Sequence, residues 1–166
     1  MNLNTSSIND DETVSSVRKA IEHRATWMGL MCLEAEKHGA DWESIARKAV
    51  SQTGMLHGKA IFEAMAEKTD MPEFSKAFLS ELNKKLFEME VTELSANKLE
   101  IEFNYCPLVS AWRKLGIDEE RIKVLCDIAM DGDREIARQV GFDFALGGTI
   151  AKGNSCCEVL FRKPPA

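Results

Sequence analysis

The sequence predicts an α+β fold: N-terminal helices packed with a small antiparallel sheet of about four strands, and two further helices. Three observations carry that prediction. Apolar residues recur at helical spacing through the first half of the chain, and a period of two appears in two separate pairs of segments. Strands and helices also fall in blocks instead of alternating one for one.

Taken in order, residues 1–12 (MNLNTSSINDDE) are polar and acidic and read as a flexible tail, with a single domain over 13–166. From Thr13 to about Lys37, Val14, Val17, Ile21, Met28, Met31, Cys32 and Ala35 mark one helical face, and Gly39 is a natural stop. Within it His23 and Trp27, four apart, share a face. A second helix starts at Asp41, with Trp42, Ile45 and Ala49 inward. Gly54 and Gly58 interrupt its continuation around His57, each at about 1 kcal/mol relative to alanine. A close backbone approach, a kink or room for a ligand would compensate. A third helix opens after Asp70 with Pro72 near its first position and Phe74, Phe78, Leu82 and Leu86 at spacing four.

Around Phe87 the period falls to two, with Met89 and Val91 set against Glu88, Glu90 and Thr92. A turn at residues 95–98 returns the chain along Leu99, Ile101, Phe103 and Tyr105 as a hairpin. At Cys106-Pro107 the strand gives way to a helix carrying Trp112 and Arg113. Another helix runs from Asp118 through Cys126-Asp127 and ends near Asp131-Gly132-Asp133. A second hairpin, Phe142 to Leu146 and Cys157 to Phe161, closes the chain through Gly147-Gly148 and a turn at residues 152–155.

Composition narrows the function. The net charge of −6 argues against nucleic acid and anionic membrane partners, which need clustered cations. No apolar run approaches the roughly 20 residues of a membrane span. Five cysteines, an odd count with no export signal, point to free thiols in a reducing cytoplasm. The sequence leaves a homo-oligomer open.

The stretch from Asn104 to Asp133 holds the densest chemistry. Pro107 fits the first helical position and puts Cys106 at the N-cap, beside unpaired N–H groups and the positive end of the dipole. Both favour thiolate, so the expected thiol pKa lies below the free value of about 8.5. Small capping residues are ordinary there too. Asp131-Gly132-Asp133 reads equally as a helix cap or as chemistry, and Cys126 in Val124-Leu125-Cys126 reads as core.

The run CPLVSAWRKLGIDEERIKVLCDIAMDGDREIARQVGFDFALGGTIAKGNSCCEVLF and the stretch HRATWMGLMCLEAEKHGADWESIARKAV resemble the L-2-amino-thiazoline-4-carboxylic acid hydrolase family, over about residues 15 to 162. One departure is visible: the family's last hairpin commonly reads Gly-Asp before its cysteine, where this chain has Gly153-Asn154-Ser155-Cys156-Cys157. The resemblance implies hydrolytic opening of a cyclic isothiourea bearing a carboxylate, to give a carbamoyl-cysteine. For that reaction Asp131 or Asp133 would serve as base or amidinium partner, and Arg24 or Arg113 would clamp the carboxylate. Trp27 or Trp112 would cover the ring, and His57 would relay a proton. Cys106 would either attack directly or stand by. No cofactor is expected, the rival being a zinc set drawn from Cys106, Cys126 and Cys157. The competing class is a non-catalytic small-ligand-binding or sensory domain of the same fold.

Overall fold

A computed structural model describes residues 4–165. Seven segments lead to the end of the first hairpin and the helix after it: α1 (Glu12–Lys37), α2 (Trp42–Ala64), α3 (Met71–Phe78), α4 (Glu81–Phe87), β1 (Met89–Leu94), β2 (Lys98–Phe103) and α5 (Pro107–Lys114). The chain continues with α6 (Glu119–Val140), β3 (Asp143–Leu146), a 3-10 turn at Ile150–Lys152 and β4 (Cys157–Arg162). Side chains cap the helices where the sequence offers them. Asp11, Asp41, Asp70, Ser80 and Asp118 each accept from the backbone N–H three residues on.

The sheet is antiparallel with order β1-β2-β4-β3. Its register sets Leu99 opposite Phe161, Ile101 opposite Val159 and Phe103 opposite Cys157. Those six form the buried face, while Glu100, Glu102 and Glu158 lie on the other. The helices cover the buried face, and Trp112, Phe74, Phe161, Ile122 and Leu125 fill the space between. No helix among the described residues is long and apolar enough to cross a membrane.

Three expectations are corrected here. The third helix is two, because Ser80 accepts from the Asn83 N–H and starts α4 as a new element. The helix from Asp118 does not stop at Asp133 but runs to Val140, where Gly141 caps it in the left-handed region at φ 79°. And α2 is not interrupted at its glycines. A Cβ on Gly54 would stand 2.4 Å from the Gly132 carbonyl oxygen, and one on Gly58 2.7 Å from Gln139 Cβ. The glycines let α2 and α6 cross backbone to backbone, which is the compensation their helix penalty requires.

Where the sequence suggests a loose tail, residues 4–8 are tied down. The Asn4 side chain exchanges two hydrogen bonds of 2.8 Å with the Cys106 backbone. Ser6, Ser7 and Ile8 donate to the Glu88 carboxylate. Arg18 joins them, donating to Glu88 and to the carbonyls of Lys85 and Leu86. Burial opposes ionisation of Glu88, but the donors from Ser6, Ser7 and Ile8 outweigh it and hold its pKa down at about 2.

Candidate active-site cavity

The strand-to-helix junction at Cys106 opens into a cavity of about 410 Å³ bounded by α1, α2, α3, α4, α5, α6 and the sheet. Arg24 reaches it from α1, His57 from α2, Cys106 from the junction, Cys126 and Asp133 from α6, and Cys157 from β4. Apart from Asn83 the remaining wall is apolar, with Phe78, Leu86, Phe87, Phe103, Leu108, Met130 and Ile136 prominent. Cys106 and Asp133 are only half-buried by surface exposure yet deeply enclosed by protein atoms. Both statements hold because the two side chains face the cavity.

That enclosure decides the thiol. Burial pushes the Cys106 pKa up, and the N–H groups of Val109 and Leu108, with the charge of Arg113, recover only part of the shift. The expectation of a helix-start thiolate is corrected: desolvation wins over the helix N-terminus, and Cys106 is a thiol at neutral pH. Burial likewise raises Cys126 and takes Cys157 to about 12, each also feeling Cys106 nearby. Cys157 Sγ accepts from the Ile150 N–H at 3.3 Å. Although these three thiols are neighbours, the described residues contain no group of three or more His, Cys, Asp or Glu arranged to hold a metal.

Asp133 is the other perturbed group. Burial raises its carboxyl to about 7, with Arg134 pulling weakly the other way. Arg134 is already committed to Asp127 and Asp131. A carboxyl half-ionised at neutral pH is suited to take and return a proton.

The structure brings Arg24, His57, Cys106, Trp112 and Asp133 to one cavity and leaves the other candidates outside it. Asp131, two residues from Asp133, faces the opposite side of the helix and pairs with Arg47 at 3.0 Å and with Arg134. Arg113 is held by Glu119 at 2.8 Å. Trp27 lies on an outer groove, its N–H donating to His23 Nε2 at 3.0 Å. Trp112 contributes only part of its ring, since it is fully buried with its N–H bonded to the Ala25 carbonyl at 2.9 Å. Arg24 has no ion pair among the described residues, so its charge is available to an anionic ligand. Asn154 is distant in role: its Oδ1 accepts from the Thr149 N–H within the last turn, a bond that an aspartate would also make.

Sequence reasoning missed the aromatic wall of Phe78, Phe87 and Phe103. Each follows a core-facing pattern, and nothing local distinguishes a side chain that fills the core from one that lines a hole in it. It also missed Asn4, which no periodicity marks.

The sequence matches the family described as L-2-amino-thiazoline-4-carboxylic acid hydrolase over residues 18–161. No curated protein matches it. Among solved structures it is similar to a trafficking protein particle complex subunit 3 from Naegleria fowleri covalently bound to palmitic acid. That match has a TM-score of 0.57 and 15% identity, and covers 87% of this chain and 95% of the other. At that identity the likeness is one of fold.

Proposed function

This chain belongs to the L-2-amino-thiazoline-4-carboxylic acid hydrolase family, and we propose that its cavity hydrolyses a small cyclic isothiourea carboxylate to the ring-opened carbamoyl-cysteine. The observation that carries the reading is Asp133: a carboxyl with pKa about 7, in the same cavity as an imidazole and as Arg24, which has no ion pair among the described residues. Arg24 takes the substrate carboxylate. Ionised Asp133 accepts a proton from water as the oxygen adds to the carbon between sulfur and nitrogen. The C–S bond then breaks, the water oxygen becomes the urea carbonyl, and the two water protons end on the ring nitrogen and the departing sulfur. His57, at the cavity's α2 wall, passes protons to solvent. Cys106, held as a thiol, donates a hydrogen bond to the leaving sulfur instead of attacking.

Incubating the purified protein with the thiazoline acid and following new thiol beyond the chain's own five cysteines tests the proposal. Turnover that vanishes in Asp133→Asn supports it; no thiol release by folded protein removes this substrate.

A second reading rests on the cavity's apolar wall. A volume of about 410 Å³ lined by phenylalanine and leucine exceeds what a thiazoline acid fills, and suits a ligand with a hydrocarbon body. The palmitic acid covalently held by the Naegleria protein is chemistry of that kind. For this chain the reading predicts a stable acyl adduct, seen by mass spectrometry after incubation with an acyl thioester and absent in Cys106→Ser. An unmodified chain after prolonged incubation counts against it.

A further inference from the structure

We propose that Asn4 is a positioning residue: through the backbone of Cys106 it fixes where that thiol sits on the cavity wall. The proposal deepens the hydrolase reading and rests on it for the thiol's role toward the leaving sulfur. Cys106 lies between the end of β2 and the start of α5, its backbone extended at φ −129° and ψ 107°. Its carbonyl accepts the first bond of α5, from the Ser110 N–H at 3.1 Å. The Asn4 amide adds a hold at two points. Asn4 Oδ1 accepts from the Cys106 N–H, and Asn4 Nδ2 donates to the Cys106 carbonyl, both at 2.8 Å. A residue held at both its N–H and its C=O cannot turn either peptide without breaking a bond. Asn4 is itself buried, which raises the cost of breaking one.

The hold has its own anchor. Ser6 Oγ and Ser7 Oγ donate to the Glu88 carboxylate at 2.6 and 2.7 Å, and the Ser7 and Ile8 N–H groups donate to it as well. Glu88 caps α4 in the left-handed region at φ 50°, a conformation that persists where the surroundings fix it. Arg18 pairs with Glu88 at 3.0 Å and lies 4.3 Å from the ring centroid of Tyr105, the neighbour of Cys106. Backbone bonds from Tyr105 to the Phe87 carbonyl and from Asn104 to the Glu88 carbonyl close the circuit. Phe87, Met89 and Cys106 line the cavity, whereas Asn4 and Glu88 are not among the described residues that do. Residues 4–8 thus brace the thiol wall from behind, and Asn4 reaches the chemistry only through Cys106.

Site-resolved alkylation of the full chain, with the modified peptides read by mass spectrometry, tests this without turnover. Loss of two hydrogen bonds of ordinary net worth shifts a local opening equilibrium by about 30-fold. Asn4→Ala should therefore speed alkylation of Cys106 by about that factor. Cys32 and Cys156, buried and outside the cavity lining, should keep their wild-type rates. The double variant Ser6→Ala, Ser7→Ala, which loosens the far anchor, should show the same selectivity at about threefold or more. Equal Cys106 rates in wild type and Asn4→Ala overturn the proposal. Acceleration of Cys32 and Cys156 by the same factor also overturns it, because that is a general loosening of the fold.

The kinetic arm reads the same residue through the reaction. Asn4→Ala should lower kcat for thiazoline ring opening by about 10- to 100-fold, the cost of a misplaced group, with KM within about threefold because Arg24 still holds the carboxylate. A raised KM with kcat kept would overturn the positioning role. A folded wild-type chain that opens no thiazoline removes the hydrolase reading alone, and the alkylation rates then decide whether Asn4 places the thiol.

Discussion

Asp131 and Asp133 are the same side chain two residues apart on one helix, and they live in different solvents. Asp131 points outward between two guanidinium groups, Arg47 and Arg134, in a network that also holds Asp127 and Glu43. Asp133 points inward, where burial outweighs the pull of Arg134 and lifts its pKa to about 7. A step of two residues turns a helical side chain by about 200°, enough to pass from the ion network to the cavity wall. The network ties α2 to α6; the inward group is free for chemistry. Environment, not residue type, divides the labour.

The sharpest way to break the contrast is to neutralise each carboxylate in turn. Asp133→Asn should lower kcat for thiazoline ring opening by about 100- to 10,000-fold, the usual worth of a general base. Asp131→Asn should leave kcat within about threefold and instead lower unfolding stability by about 1 kcal/mol, the scale of a partly exposed ion pair. Equal kinetic losses in both variants would dissolve the distinction.

The next effect is thermodynamic. A carboxyl titrating near 3.9 in the unfolded chain and about 7 in the folded one holds its proton longer when folded. Stability is therefore lost as pH rises from about 4 to about 7, by up to about 4 kcal/mol. Asp133→Asn, which cannot ionise, should gain melting temperature relative to wild type at pH 8 and show little difference at pH 4. A gap that does not grow with pH would place the ordinary carboxylate range inside the cavity.

A smaller effect concerns the thiol on the same wall. Alkylation of Cys106 should be slow at pH 7 and rise with a midpoint above 8.5, because burial outweighs the N–H groups of Leu108 and Val109. A midpoint below 8.5 would restore the thiolate that its position before Pro107 first suggests.

Local signals made much of the frame legible. The alternation through Leu99, Ile101 and Phe103 and that through Cys157, Val159 and Phe161 identify the two central strands, which pair in the register the burial demands. Pro107 marks the start of α5, and aspartates mark the starts of α2, α3 and α6. What stayed hidden depends on neighbours distant in sequence. Asp131-Gly132-Asp133 reads as a helix end because glycine between two aspartates is turn chemistry. The crossing of Gly54 over Gly132 shows why a glycine stands there inside an unbroken helix. A helix start favours thiolate at Cys106 by local reasoning alone, while the desolvation that reverses it comes from burial by residues distant in sequence. Helical i,i+3 spacing announces the pairing of Asp131 with Arg134, but the pairs of Asp131 with Arg47 on α2 and of Arg113 with Glu119 across the turn follow no spacing rule.

The direct measurement is the titration of the Asp133 carboxyl itself, followed by carbon-13 NMR and assigned by its loss in Asp133→Asn. A midpoint near 7 is the result predicted here. A midpoint for Asp133 near the ordinary 3.9 would contradict the claim that this cavity holds a carboxyl poised for proton transfer.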